Sequence, residues 1–316
     1  MAAAFNSNAP IFLVGATGVG KSAVALELAR TMASSGGGAI LAMDAMQVYR
    51  GADIGTGKPT MAERTEIPHG GLDLVEFGAS FDVAQYLKHA EAFLHEQREA
   101  GRPVIIVGGT GLYFRALTRG LCEAPQGPDE LRAELGALSA AELRERLGRV
   151  DPAMLERIDA SNPRRLARAI EVKEATGRSL RDWQEETPEP LVREFTAFWI
   201  QREKAELEAR IEARVEAMFS QGWVEEVMEL RRWHGHAVRN FAGIGYREIA
   251  DNIGMRADNE YQVASRLKRD IFMATRQYAK RQLTWFAREP TLRKVMLTGN
   301  QPLPATLRAA VLPAVL

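Results

Sequence analysis

Four short apolar runs, with helical patterns between them, predict the core of this chain. The runs have the length of buried strands and end at glycine or polar residues: Ile11–Val14, Ala39–Met43, Pro103–Val107 and Phe195–Ile200. Between the first two runs, Val24, Leu28 and Met32 recur at helical spacing, and residues 81–100 repeat the pattern. Strands that alternate with helices in this order predict a parallel, doubly wound α/β sheet.

A long segment without strand patterns interrupts this alternation. The composition changes at Glu123–Pro128, and from there to about Pro190 the chain is charged and poor in β-branched residues. Asp151 and Asn162 each precede a proline, which is typical of a capped helix start. We therefore predict a first part of a sheet domain, a helical insertion, and a return to the sheet domain followed by basic helices, in residues 1–124, 125–194 and 195–316.

The first strand is followed directly by a glycine-rich loop with the spacing GxxxxGKS. The loop consists of Gly15, Ala16, Thr17, Gly18, Val19, Gly20, Lys21 and Ser22. Between a strand and a helix, such a loop binds phosphate through its backbone N–H groups and the helix N-terminus. Lys21 adds a mobile cation, and Ser22 adds a hydroxyl suited to Mg²⁺. The expected fold is a P-loop NTPase-like parallel sheet flanked by helices, with an inserted all-helical domain, and any diphosphate would fit the loop.

Two further features lie at the carboxyl ends of predicted strands. Asp44 directly follows the second strand, and the glycine-rich segment Gly108–Gly111 follows the third. Because ligands of open α/β sheets bind at the carboxyl ends of the strands, we expect Asp44 near the phosphate-binding loop. A carboxylate there could be a general base or a ligand of Mg²⁺ through water.

Composition narrows the class of protein without identifying a ligand. The 41 basic and 41 acidic residues balance, so no overall positive field indicates a nucleic acid. The single cysteine, Cys122, excludes an intrachain disulfide framework and a multi-cysteine zinc site. The first ten residues lack a secretory-signal pattern, and no run approaches the roughly 18 apolar residues of a membrane span. We therefore expect a cytoplasmic protein.

Positive charge is concentrated locally near the end of the chain. Between Ala264 and Arg288 the basic residues are opposed only by Asp270, and aromatic residues lie among them: Phe272, Tyr278, Trp285 and Phe286. A basic helix with interleaved aromatics suits RNA phosphates and exposed bases. A solvated helix whose aromatics pack in the core would show the same pattern, so this segment alone does not identify a partner.

Several segments, taken in their order along the chain, resemble the tRNA dimethylallyltransferases, the bacterial isopentenyl transferases that modify adenosine beside the anticodon. Besides the glycine-rich loop, the matching segments are Asp44–Tyr49, Asp53–Pro59, Gly108–Tyr113, Asn162–Ala169, Gly243–Arg247 and Lys280–Trp285. Two positions depart from the family pattern. Ala45 stands where serine is usual and Ala16 where proline is usual, so Ala45 lacks a hydroxyl that could steady Asp44. One cysteine cannot form the zinc finger that eukaryotic relatives often append.

The resemblance implies a reaction and assigns residues to it. The loop would hold the diphosphate of dimethylallyl diphosphate, with Mg²⁺ as cofactor on Ser22. N6 of adenosine 37, in tRNAs reading codons that begin with U, would displace that diphosphate. Asp44 would take the N6 proton, and Thr110 and Arg214 would act on the departing diphosphate. Arg210 shares a helix face with Arg214, so the sequence does not separate their roles.

The resemblance also implies contacts with the anticodon stem-loop of a tRNA by a monomeric protein. Gln47 would pair with N6 and N7 of adenine, whereas without the family match it could equally face water. The residues implied in RNA binding are Asp44, Ala45, Met46, Gln47, Arg164, Arg165, Leu166, Ala167, Arg168, Gly243, Gly245, Tyr246, Arg247, Lys280, Arg281 and Trp285.

Three other functions fit parts of the sequence. A P-loop small-molecule kinase would use the same loop with ATP, and Asp44 could replace the acid that the strand before Gly108 lacks. An isopentenyltransferase acting on free adenine nucleotides would not require the insertion or the basic helix. A tRNA-binding protein without catalysis would leave Asp44 and Lys21 without a role.

Overall fold

In the part of the chain that the structure describes, the sheet domain is built on six parallel strands. A computed structural model of the chain describes residues 9–32, 37–252, 260–299 and 307. Within them the strand order is β3-β2-β4-β1-β5-β6, with β1 (Ile11–Gly15), β2 (Ala39–Met43), β3 (His69–Gly70), β4 (Val104–Gly108), β5 (Thr196–Gln201) and β6 (Arg293–Met296). The four predicted strands are confirmed as β1, β2, β4 and β5. Most of the segment searched for a secretory signal, residues 1–8, lies outside the described residues.

Helices surround the sheet and form the insertion. Within the described residues they are α1 (Lys21–Thr31), α2 (Met61–Glu66), α3 (Val83–Glu99), α4 (Gly111–Arg119), α5 (Asp129–Ala137), α6 (Ala140–Val150), α7 (Pro152–Leu155), α8 (Pro163–Thr176), α9 (Leu180–Glu185), α10 (Lys204–Ser220), α11 (Trp223–His234), α12 (Ala237–Asn240), α13 (Tyr246–Asn252) and α14 (Glu260–Phe286). Among these, no helix combines the length and the apolar composition that crossing a membrane requires.

The central strands are apolar along their whole length because both of their faces are covered. Every residue of β1, β2 and β4 is buried. Ile11 of β1 pairs with Ile105 of β4 on one side and with Thr196 of β5 on the other. Helix α1 adds Leu28 to the same core. Strands buried on both faces appear in a sequence as continuous apolar runs, which explains why this part of the fold was predictable.

Parallel pairing brings the carboxyl ends of three strands to one edge of the sheet. Gly108, the last residue of β4, pairs with Val14 of β1 and with Met43 of β2. A Cβ atom on Gly108 would lie 2.0 Å from the carbonyl oxygen of Met43, so this close approach requires glycine. The loops that follow the three strands therefore begin side by side.

The helical insertion forms a compact unit of its own. This unit spans Arg115–Leu191, whereas the sequence pattern places the insertion at 125–194. Its core includes Leu143, Leu147, Leu166 and Ile170. The predicted helix starts are confirmed, since Asp151 caps α7 and Asn162 caps α8, each through its side chain and each followed by proline.

Two strands were not predicted from the sequence. β3 has only two residues, and three of the four residues of β6 are exposed. Both strands lie at the edges of the sheet, where a backbone edge is unpaired and burial is incomplete. A continuous apolar run is therefore not required there, and the pattern that revealed the central strands is missing.

Leu13→Ala should lower the free energy of unfolding by about 3 kcal/mol, because the side chain is fully buried in β1 and its removal leaves a cavity. Met61→Ala is the control, since that side chain is 73% exposed, and it should change stability by less than about 0.5 kcal/mol. Urea unfolding followed by circular dichroism measures both. Equal losses would contradict the central position of β1.

Candidate active site

The predicted phosphate-binding loop joins β1 to α1 and turns at glycines with positive φ. Gly18 has φ +80°, and a Cβ atom there would lie 2.8 Å from the side chain of Ile211. Lys21 Nζ donates to the carbonyl oxygen of Ala16 at 2.7 Å. Burial lowers the pKa of Lys21 to about 7, although the nearby Asp44 carboxylate opposes this change. A bound anion would therefore stabilise the charged form of Lys21.

Two arginines hold the outside of this loop: Arg202, directly after β5, and Arg210, on α10. Arg202 Nε donates to the carbonyl oxygen of Val19 at 2.8 Å, and Arg210 Nε donates to that of Gly18 at 3.1 Å. Because both carbonyl groups are engaged, the loop has a defined shape before any ligand binds.

Gln282 on α14 joins this loop to the second glycine loop. Its Oε1 accepts the N–H of Thr17 at 2.8 Å, and its Nε2 donates to the carbonyl oxygen of Gly109 at 3.0 Å. Tyr278 lies among the aromatics of the basic helix and Gln282 in the segment Lys280–Trp285, but no site role was predicted for either, and both border the cavity beside the phosphate-binding loop. Helical spacing was the available signal, since these two residues are one turn apart and share the inner face of a helix noted only for its charge.

Asp44 follows β2 and lies among cations and a phenol. Burial lowers the pKa values of Lys21 and Arg214, and the negative charge of Asp44 acts in the opposite direction. Burial together with this charge raises the pKa of Tyr278 to about 12. Asp44 Oδ1 accepts the N–H of Met46 at 2.8 Å, which fixes the carboxylate at the end of the strand. Asp44 is therefore at the phosphate-binding loop, as its position after a strand predicted.

Thr110 lies against the turn that carries Asp44. Its Oγ1 accepts the N–H of Ala45 at 3.2 Å, and its own N–H donates to the carbonyl oxygen of Met43 at 3.4 Å. The turn is thus anchored through the backbone of residue 45, although Ala45 has no hydroxyl of its own. The assignment of Thr110 to the departing oxygen stays a prediction.

Two cavities meet at Asp44. The first, of about 490 Å³, is bordered by the phosphate-binding loop and both candidate arginines. The second, of about 300 Å³, is more apolar and is bordered by side chains that include Met218, Trp223 and Ile271. The residues common to both are Thr17, Asp44, Thr56, Arg214 and Tyr278. An anionic group in one cavity and an apolar or aromatic group in the other would both contact Asp44.

The structure separates the positions of Arg210 and Arg214. Arg214 borders both cavities, and its Nη2 lies 3.5 Å from the carbonyl oxygen of Thr56. A Cβ atom on Gly57 would lie 2.1 Å from this guanidinium group, so the glycine gives Arg214 its path to the cavity. Arg210 borders only the first cavity and holds the carbonyl of Gly18. Arg214 is therefore the arginine placed beside Asp44.

Two hydrogen bonds to backbone carbonyls fix the orientation of the Gln47 side-chain amide. Its Nε2 donates to the carbonyl oxygens of Thr56 at 3.2 Å and Gly57 at 3.1 Å. With both amide hydrogens engaged, Oε1 is left as an acceptor at the border of the first cavity. This arrangement could accept a hydrogen from N6 of adenine, but it has no hydrogen left for N7, so the bidentate pairing expected from the sequence is not available to it.

The residues of α14 that the sequence predicts as RNA contacts differ in where their side chains lie. Lys280 and Arg281 are exposed and border a groove of about 330 Å³ together with Arg288. Trp285 also borders this groove, but its ring packs on the protein, since a Cβ atom on Gly111 would lie 2.4 Å from the indole. Lys280 thus faces outward, Arg281 borders both this groove and the second cavity, and Trp285 supports the second glycine loop.

The segment Gly243–Arg247 is mostly structural in this arrangement. Gly243 borders the apolar cavity. Tyr246 is fully buried, and its hydroxyl donates to Glu226 Oε1 at 2.7 Å, so its side chain is not on the surface as an RNA contact requires. Arg247 is exposed. Any side-chain contact of this segment with RNA phosphates therefore falls to Arg247.

The arginines of the insertion, Arg164, Arg165 and Arg168, differ in what they contact. Arg164 and Arg165 are exposed, and Arg165 lies 3.8 Å from a carboxylate oxygen of Asp159. Leu166 is fully buried. Arg168 donates to the carbonyl oxygens of Ala124 at 2.6 Å and Pro125 at 3.2 Å, which ties α8 to the start of the insertion. The first two arginines are therefore the ones available to a partner.

Two oxygen groups at the first cavity suit a magnesium ion. Ser22 and Asp44 both border this cavity. Over the described ranges, no group of three or more histidine, cysteine, aspartate or glutamate side chains could hold a metal. Mg²⁺ needs few protein oxygens when substrate phosphates and water complete its shell. The residues present therefore fit a magnesium ion that binds together with a diphosphate.

Sequence comparisons identify the family to which this chain belongs. The family model for IPP transferase matches residues 47–289. The tRNA dimethylallyltransferase of Methylacidiphilum infernorum is 44% identical over 289 residues, which cover 91% of this chain and 85% of that protein. The tRNA dimethylallyltransferase of Syntrophobacter fumaroxidans is 39% identical over 295 residues, with 90% and 82% covered. The chain belongs to the IPP transferase family.

Solved structures support the same fold. The full-length tRNA isopentenylpyrophosphate transferase of Bacillus halodurans is similar with a TM-score of 0.62 and 30% identity, covering 92% of this chain and 90% of that one. A eukaryotic dimethylallyltransferase acting on tRNA gives a TM-score of 0.79 at 22% identity, with 95% and 77% covered. The second likeness concerns the fold alone.

The affinity for dimethylallyl diphosphate, measured by titration calorimetry with magnesium chelated, should fall by about tenfold per pH unit above pH 7. Burial lowers the pKa of free Lys21 to about 7. The bound anion raises that pKa, so binding above pH 7 requires uptake of a proton. The ligand's own ionisation, near pH 6, lies below this window. Lys21→Arg keeps its charge and should lose this pH dependence, whereas equal wild-type affinities at pH 7 and 9 would contradict the assignment.

Proposed function

We propose that this protein transfers the dimethylallyl group of dimethylallyl diphosphate to N6 of adenosine 37 in tRNAs that read codons beginning with U. The products are N6-(dimethylallyl)adenosine and diphosphate. The observation that carries the proposal is the meeting of a phosphate-binding cavity and an apolar cavity at Asp44. The relatives named tRNA dimethylallyltransferase, which match 91% and 90% of the chain, support the same reaction.

Asp44 is the base in this proposal. N6 attacks the allylic carbon, the bond from that carbon to the diphosphate oxygen breaks, and the electron pair leaves with the diphosphate. The proton lost from N6 passes to the carboxylate of Asp44. Because the exocyclic amine of adenine is a weak nucleophile, a carboxylate held at the strand end by Met46 assists its attack.

Gln47 complements Asp44 as a second acceptor. The amino group at N6 carries two hydrogens, and two acceptors, Gln47 Oε1 and the Asp44 carboxylate, border the first cavity. One hydrogen would be held by Gln47 while the other is transferred to Asp44. A guanine would present a carbonyl oxygen at this point, and two acceptors would repel it.

Lys21 and Arg214 stabilise the departing diphosphate. Both are cations at the first cavity, and both lie near Asp44. Negative charge grows on the diphosphate oxygens as the carbon–oxygen bond breaks, so preplaced cations favour the transition state. A magnesium ion, when bound with the substrate at Ser22, would add further positive charge to the same oxygens.

The exposed cations support RNA as the acceptor. Arg164 and Arg165 lie on the insertion, while Arg247, Lys280 and Arg281 lie on the sheet domain. Phosphate contacts of this kind fix position and cause salt dependence rather than base choice. The adenosine must leave its stack to reach Asp44, and the apolar cavity gives the base and the allyl group a surface to contact.

The alternatives fit fewer of the observations. A transferase acting on free adenine nucleotides needs no exposed cations at Lys280 and Arg281, and a kinase needs no apolar cavity beside Asp44. We further propose that the protein acts as a monomer, since a single chain supplies both cavities and every residue assigned to the reaction. We also propose that it acts in the cytoplasm, because its proposed acceptor is a tRNA.

Radiolabelled dimethylallyl diphosphate supplied with unmodified tRNA, with AMP, or alone separates these functions. We expect label in the tRNA only, in the presence of magnesium, and no hydrolysis of added ATP. Label in AMP would instead indicate a nucleotide-dependent enzyme. Consumption of ATP without prenyl transfer would indicate a kinase.

Asp44→Ala should lower turnover by about 10²-fold or more, because the acceptor of the N6 proton is removed. Binding of tRNA, measured by filter retention, should stay close to that of the wild type. Asp44→Asn keeps the shape and removes the basicity, so it should lose nearly as much turnover. Wild-type turnover in either variant would remove Asp44 from the mechanism.

A further inference from the structure

A single carboxylate holds three consecutive backbone amides of the loop 53–57. Glu226 Oε2 accepts the N–H groups of Asp53 at 2.9 Å and Ile54 at 2.6 Å, and Oε1 accepts that of Gly55 at 3.2 Å. Successive N–H groups that point to one place form a site for an anion. Here a side chain of the protein, from the first turn of α11, occupies that site.

The surroundings of Glu226 keep its carboxylate in this position. The hydroxyl of Tyr246 donates to Oε1 at 2.7 Å, and burial together with the charge of Glu226 raises the pKa of this phenol. Trp223 packs between two glycines, since a Cβ atom on either Gly55 or Gly245 would lie 2.1 Å from its indole. The loop, α11 and α13 are thus joined around one carboxylate.

The other end of the same loop contacts the reaction site. The carbonyl oxygens of Thr56 and Gly57 take both amide hydrogens of Gln47. The carbonyl oxygen of Thr56 also lies 3.5 Å from Arg214 Nη2. Gln47 and Arg214 both border the first cavity with Asp44. The loop therefore connects Glu226 to two side chains of the proposed reaction.

Lys58 holds the loop in a different way. Its buried Nζ donates to the carbonyl oxygen of Tyr49 at 2.6 Å and to carboxylate oxygens of Asp53 at 2.7 Å and Asp73 at 2.6 Å. All three acceptors lie between residues 49 and 73, the segment that contains the loop 53–57. Lys58 therefore fixes the shape of the loop within that segment. Glu226 instead ties the loop to α11, which directly follows the helix that carries Arg214.

We propose that Glu226 is a positioning residue that fixes the loop 53–57, and through it sets the orientation of the Gln47 amide and the Arg214 guanidinium. This inference rests on the proposed function for the roles of those two side chains. Without the carboxylate, three backbone N–H groups and a phenol would need other acceptors, and the carbonyls of residues 56 and 57 would no longer be held in place.

Glu226→Gln tests this inference, because it keeps the size of the side chain but replaces one accepting oxygen with a donating NH₂ group. We expect kcat to fall by about tenfold, with the dissociation constant for tRNA within about twofold of the wild-type value. Glu225→Gln is the matched control. It removes the same charge from the preceding position of α11, where the side chain is exposed, and kcat should stay unchanged.

The test also separates positioning from a purely structural role. In a Gln47→Ala background the loss caused by Glu226→Gln should be clearly smaller than tenfold, since one of the two side chains on which it acts is already absent. A full additional tenfold loss, or a lowered melting temperature with unchanged kcat per folded molecule, would overturn the inference. Tyr246→Phe keeps the carboxylate and should lower kcat by a few fold, which provides a second measurement if Glu226→Gln does not fold.

Failure of this inference can be distinguished from failure of the proposed function. If the wild-type protein does not transfer the dimethylallyl group to tRNA, the proposed function is wrong. If the wild type is active and Glu226→Gln has the same kcat as Glu225→Gln, the function stands and the role of Glu226 is wrong.

Discussion

The close approach of an anion, Asp44, to two cations, Lys21 and Arg214, is the interaction on which this site depends. Lys21 and Asp44 come together because β1, β2 and β4 are parallel and end at one edge of the sheet, and α10 adds Arg214. The glycine-rich loop that carries Lys21 follows β1, Asp44 follows β2, and the second glycine loop follows β4. Burying these charges carries a desolvation cost, which the lowered pKa of Lys21 reflects. A diphosphate would supply the missing counter-charge.

Side chains from distant segments determine the shape of the loops at this edge. Arg202 and Arg210 hold carbonyls of the phosphate-binding loop, and Gln282 links that loop to the second glycine loop. Glu226 holds the amides of the loop 53–57. Each contact fixes backbone rather than substrate. Such preorganisation matters because a donor or cation that is already in place does not need to reorganise as charge develops.

The helix α14 combines two tasks on opposite faces. Tyr278 and Gln282 face the cavity and the glycine loops, whereas Lys280, two positions from each of them, is exposed. Arg281 is exposed as well, but it also borders the second cavity with Tyr278. A helix can do both because residues one turn apart share a face and residues two apart do not. The surface that would contact RNA and the side chains that hold the phosphate-binding loop therefore belong to one rigid element.

The sequence by itself determined the central strands, the phosphate-binding loop and the position of Asp44, because these follow from local patterns. A strand buried on both faces must be apolar, and a strand, a glycine loop and a helix in succession place Lys21 and Ser22 without reference to distant residues. The proline-capped starts of α7 and α8 were predictable for the same reason.

Only the tertiary structure decided which polar side chains face the site and which hold it together. Arg210 and Arg214 are equivalent in the sequence, and the gap left by Gly57 places only Arg214 beside Asp44. Arg168 and Tyr246 looked like RNA contacts, but they bond to the protein itself. Gln282 lies in the matching segment Lys280–Trp285 and Glu226 in no such segment, but for neither residue did the sequence show which backbone groups it holds. The backbone groups that they hold are more than a hundred residues away, and such pairings follow from packing rather than from any pattern along the chain.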